Sequence, residues 1–99
     1  MPATTTKAYE EIAGAIIQKQ VLVLGKLIAL ERARKAQGLT LGDDGVVQEI
    51  IGNAIDVLEN LIDQYRELLG PAAISFAKDA ALATIKKNPS LSLPRALQE

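Results

Sequence analysis

Cysteine and histidine are both missing from this 99-residue chain. Without cysteine there is no disulfide framework, and no thiolate to bind metal or attack a substrate. Without histidine the chain loses the commonest metal ligand and the usual proton carrier near neutral pH. Tryptophan is absent as well, and two Tyr and one Phe make up the whole aromatic complement. Proteins that stack bases use aromatic faces to do so, so this scarcity counts against nucleic acid and flat cofactors as ligands. An excess of one charge is lacking too. Eleven basic and 12 acidic residues leave a formal net charge of −1, which supplies no long-range field to steer the chain onto DNA or an anionic membrane.

Long uninterrupted apolar runs are also missing. A transmembrane helix needs roughly 20 mostly apolar residues, and Gln18, Lys19, Gln20 and Lys26 break up the best candidate stretch. Each Lys would cost about 3 kcal/mol at the bilayer centre, so a membrane partner is not expected. Met1 to Lys7 is Thr-rich and leads into no secretory-type apolar run. Cytoplasmic residence is therefore expected.

What the chain does have is aliphatic side chains. Nearly half of its residues, 48%, are apolar, and Ala, Leu, Ile and Val dominate. A domain this short has little interior to hide them, so part of that surface is expected to be buried between chains.

Residues 1–6 read as a short tail, with Thr5 or Thr6 placed to cap the first helix. Helix 1 is expected from Lys7 to Gln37. One apolar stripe follows Tyr9, Ile12, Ala13, Ile16, Val23, Leu24 and Leu27, and a second beside it follows Ile17, Val21, Leu24 and Ile28. A helix packed on one side needs only one stripe, so the second is assigned to a partner. Arg32, Arg34 and Lys35 suit the negative end of the helix dipole, and Gly38 is a natural stop. Gly14 and Gly25 lie inside this helix, where each costs about 1 kcal/mol relative to Ala. They mark either a close crossing, with room for a partner or ligand, or two tolerated neutral positions.

Residues 39–51 read as a small β-hairpin, with turn chemistry at Asp43-Asp44-Gly45 and β-branched residues in the second arm. The alternative is a helix starting at Val46 and capped by Asp43 or Asp44. The hairpin is preferred because Gly52-Asn53 then marks a clean restart. Asn53 caps helix 2, with Asp56 three residues on, and Ala54, Ile55, Leu58, Leu61, Ile62, Tyr65, Leu68 and Leu69 form its apolar face. Gly70 ends that helix and Pro71 opens helix 3, which runs to about Lys87 and is rich in Ala. Residues 88–99 form a C-terminal extension whose Leu91, Leu93 and Leu97 are expected to dock on the core. Shifting the chain by 45 residues aligns Ile17, Leu24, Gly25 and Ala36 with Ile62, Leu69, Gly70 and Ala81. Four identities are too few to separate duplication from coincidence in an Ala- and Leu-rich chain.

No group of residues forms a recognisable catalytic, cofactor-binding or metal-binding pattern. Gly42-Asp43-Asp44-Gly45 lacks the alternating ligands of a calcium loop. Asp56, Glu59, Asp63 and Glu67 share a polar helix face with no histidine to complete a di-metal set. Tyr9 and Tyr65 lie on apolar faces and read as core rings with a hydroxyl at the rim.

The sequence thus predicts a single, mainly α domain: a long N-terminal helix, a small hairpin and a helix pair joined at Gly-Pro, bundle-like and dimeric. The expected role is a non-enzymatic interaction or oligomerisation module, either a scaffold or an accessory subunit, with itself or another protein as partner. Expected interface residues are Ile17, Val21, Leu24 and Ile28, with Ala73, Ala77 and Ala80 as a close-packing surface. One alternative is an apolar-ligand carrier holding a lipid-like molecule between the helices of a dimer. Another is a small DNA-binding regulator using Arg32, Arg34 and Lys35 twice across a dimer.

Overall fold

A computed structural model describes residues 2–98 of the chain, with side-chain environments for 7–98. Helix α1 spans Pro2–Leu24 and α2 spans Lys26–Arg34. Strands β1 (Leu39–Leu41) and β2 (Val47–Ile50) follow, then α3 (Ala54–Leu69), α4 (Ala72–Lys87) and the short α5 (Arg95–Gln98). The mainly helical architecture with a small antiparallel hairpin agrees with the sequence.

The expected single helix from Lys7 to Gln37 is not found; it is two helices. The chain leaves the helical path at Gly25, whose φ of 87° and ψ of 156° lie in a region open essentially only to glycine. Gly25 closes α1 by donating to the Val21 carbonyl at 2.9 Å, and its own carbonyl accepts from Ala29 at 3.1 Å. Packing of α2 against α3 holds the break. The Tyr65 hydroxyl donates to the Ala29 carbonyl at 2.8 Å, and Arg32 bonds Glu67 at 2.8 Å. At the other end α1 includes residues 2–6, where a tail is expected. Proline lacks the N–H that a first helical turn leaves unpaired, so Pro2 can sit there without loss.

The hairpin pairs Leu39 with Ile50 and Thr40 with Glu49, then shifts register so that Leu41 meets Val47. Leu39 and Ile50 point into the core and Glu49 into solvent, the alternation a half-buried ribbon requires. Gly14 faces the hairpin without a close crossing: a Cβ there would stand 4.0 Å from Val47, an ordinary van der Waals contact.

Asn53 caps α3 as its side chain accepts from the Asp56 N–H at 3.1 Å. At the far end Gly70 closes α3 by donating to the Arg66 carbonyl at 2.8 Å, and Pro71 leads into α4. Gly25 and Gly70, which the 45-residue shift superimposes, thus share a structural role. Each ends one helix with a bond to the carbonyl four residues back and takes positive φ.

Helix α4 runs antiparallel to α1. Lys19 lies 6.0 Å from the Phe76 ring centre near one end of the pair, and Lys87 approaches Glu11 to 3.6 Å near the other. Ala73, Ala77 and Ala81 recur every four residues on α4 and are fully buried. Small side chains at that spacing let two helix axes approach closely. The core between α1, α3 and α4 is filled by Ile12, Ile16, Ile17, Leu58, Leu61, Ile62 and Tyr65. The C-terminal extension closes one side of it. Leu97 and Pro94 are buried, Leu91 and Leu93 pack against the core, and the Ser92 carbonyl accepts from the Tyr9 hydroxyl at 2.7 Å.

Candidate functional site

The accessible surface is 5680 Å² for a 10.6 kDa chain, close to the roughly 5,500 Å² that a folded monomer of this mass exposes. The chain is therefore about as compact as other folded monomers of its size. What remains unshielded is local. Of the large apolar side chains left exposed, Leu22, Val23, Leu27 and Ile28 fall within seven consecutive residues centred on Gly25. Leu22 is 83% exposed and Leu27 is 85% exposed, values expected of surface Lys rather than Leu. Leu68, one turn on from Tyr65 and so at the same end as Ala29, is also exposed. This corner, where α1 turns into α2, is the candidate site.

The break at Gly25 creates the exposure. Along α1 the buried positions Tyr9, Ala13, Ile16 and Gln20 follow alternating steps of four and three. Val23 and Leu27 continue that spacing. On a straight helix they would extend the covered stripe. Instead α2 turns and buries Ala29, Leu30 and Ala33, which leaves Leu27 and Ile28 facing outward. Lys26 is the only charged residue from Val21 to Leu30, so little in the corner opposes its dehydration.

The expected interface residues divide into two groups. Ile17, Ala73 and Ala77 have no exposed surface and belong to the α1–α4 core of the single chain. Val21, Leu24 and Ala80 are half-buried at its margin. Ile28, at 44% exposure, lies in the corner. The sequence pattern missed Leu22, which falls on neither stripe, and placed Leu27 on the core stripe.

Beside the corner lies a buried polar group. Gln20 has no exposed surface, and neither its amide nitrogen nor its amide oxygen finds a hydrogen-bond partner among the described residues. The two tyrosines are core rings, and burial pushes both hydroxyls above the ordinary tyrosine value.

The other candidate groups are occupied within the chain. Arg32 is bonded to Glu67, and Arg34 donates to the Gly42 carbonyl at 3.1 Å. Two of the three cations considered for phosphate contact are thereby engaged. Asp63 pairs with Arg66 at 3.2 Å, and Glu59 accepts from the Arg95 backbone N–H at 3.4 Å. Asp44 accepts from the Val46 N–H at 3.0 Å, a turn contact. Among the described residues no group of three or more acidic side chains could hold a metal ion. A hollow of about 560 Å³ between α3, α4 and α5 carries Glu59, Asp63, Arg66 and Arg95 on its walls, a mixture of both charges. No described helix is long and apolar enough to cross a membrane. Neither the known protein families, the curated proteins nor the solved structures contain a match to this chain.

Proposed function

We propose that this chain is a non-enzymatic helical association module that joins to a second copy of itself through the α1–Gly25–α2 corner, as a scaffold or accessory subunit. The observation that carries this reading is the exposure of Leu22 and Leu27, at 83% and 85%, beside Val23 and Ile28. Burying a Leu side chain fully contributes about 1.5–3 kcal/mol. Lost translational and rotational freedom opposes association by about 4–15 kcal/mol. Two leucines from each of two copies are of the same order as that cost, so contact through the corner alone is reversible and concentration-dependent. The near-zero net charge, −1, adds little repulsion between copies.

Sedimentation equilibrium on the wild type and on a Leu22→Glu/Leu27→Glu double variant tests the reading. The wild type is expected to show a monomer–dimer equilibrium, and the variant to remain monomeric with unchanged helix content. A wild type that stays monomeric at millimolar concentration, or a variant that associates as strongly, contradicts it. No specific observation favours the lipid-carrier or DNA-regulator alternative.

A further inference from the structure

We infer that Gly25 is a swap hinge: by straightening there, α1 and α2 become one continuous helix, and α1 of each copy docks on α4 of the other. This deepens the association reading and rests on it. Three independent features of the closed chain point the same way. First, the joint is uncapped. Gly25 offers no side-chain cap to α2, and no backbone bond links the N–H groups of Lys26, Leu27 and Ile28 to α1. Their helical partners, the carbonyls of Leu22, Val23 and Leu24, lie across the break. Straightening restores all three bonds in each chain.

Second, the apolar spacing ignores the break. Tyr9, Ala13, Ile16, Gln20, Val23 and Leu27 keep alternating steps of four and three through Gly25, the repeat of a helix that packs along one seam. Third, exposed apolar side chains cluster at the hinge, with Leu22 and Val23 just before Gly25 and Leu27 and Ile28 just after it. In a swapped dimer both hinge segments cross the same gap between two lobes, so they run side by side. Leu22 and Leu27 of the two copies are then covered by each other. The surface that receives the swapped helix is already complementary to it, because it is the closed chain's own α1–α4 contact, with Ala73 and Ala77 of α4 buried in the core. Exchange of a terminal element across a single-residue hinge keeps that contact and changes only which chain supplies it.

The test uses the full chain. Equal amounts of unlabelled and nitrogen-15-labelled protein are unfolded together, refolded at millimolar concentration and separated by size. Carbodiimide then joins Glu11 to Lys87, which stand 3.6 Å apart between α1 and α4. In a swapped dimer every such link is between chains, so about half of the linked peptides pair one unlabelled with one labelled partner. A dimer whose links never mix isotopes overturns the swap but leaves corner-mediated association standing. The absence of any dimer overturns both. Gly25→Ala supplies a second readout. The added Cβ meets nothing within 4 Å, so it acts through the backbone alone. It disfavours the bent joint and favours the straight helix. The dimer dissociation constant is expected to fall about a hundredfold, tenfold from each chain, and an unchanged or raised constant overturns the hinge. If the variant does not fold, the isotope pattern of the wild type decides alone.

Discussion

The hydroxyl of Tyr65 donates to the backbone carbonyl of Ala29 across 2.8 Å of buried space, joining the C-terminal half of α3 to the first turn of α2. This bond pins α2 in its bent position, because Ala29 lies four residues beyond the glycine at which the chain turns. Tyr65→Phe removes the donor and keeps the ring. A net loss of about 1 kcal/mol is expected for one such bond, read as a lower urea midpoint. A variant as stable as the wild type would show that α2 is held by other contacts.

The same hydroxyl makes stability depend on pH. Burial raises its pKa above the ordinary tyrosine value of 10.0, so the folded chain favours the neutral phenol. That contribution is complete below about pH 10 and is lost as pH rises further, where the unfolded chain ionises Tyr65 and the folded chain resists. Between pH 8 and 11 the urea midpoint of the wild type is expected to fall more steeply than that of Tyr65→Phe. Parallel slopes would contradict this.

Gln20 carries a fully buried amide with no partner among the described residues. An unpaired buried amide costs about 1–3 kcal/mol. Gln20→Leu keeps a side chain of similar size, and the expected result is a gain of that order in chemical denaturation. A loss of stability would mean that the amide has a partner in solution, water included.

Asn53→Ala removes the side-chain oxygen that accepts from the Asp56 N–H at 3.1 Å. Loss of an N-cap of this type costs about 1 kcal/mol. Denaturant titration is expected to show that decrease. The rescue variant Asn53→Asp is expected to restore it, because Asp caps as well as Asn.

These sites differ in how far the sequence reveals them. The hairpin and the Asn53 cap were legible because their causes are local: turn residues and a cap side chain. The break at Gly25 was not. Apolar spacing runs straight through it, and one glycine costs a helix only about 1 kcal/mol. Contacts distant in sequence, Tyr65 with Ala29 and Glu67 with Arg32, decide the matter. The error carried over to the candidate site. With an unbroken helix, Ile17 fell on a stripe assigned to a partner, whereas it is buried in the core of the single chain. Leu22 fell on no stripe and becomes one of the most exposed leucines. One signal was present: the 45-residue shift pairs Gly25 with Gly70, and Gly70 reads plainly as a helix end.

Methyl NMR on dilution is the most direct test of the corner as a contact surface. Resonances of Leu22, Val23, Leu27 and Ile28 are followed from millimolar to micromolar protein, with Ile51 and Leu82 as exposed controls outside α1 and α2. The account predicts that the four corner residues shift along one common binding curve while the two controls stay fixed. Corner methyls that do not move, or controls that move equally, would contradict it.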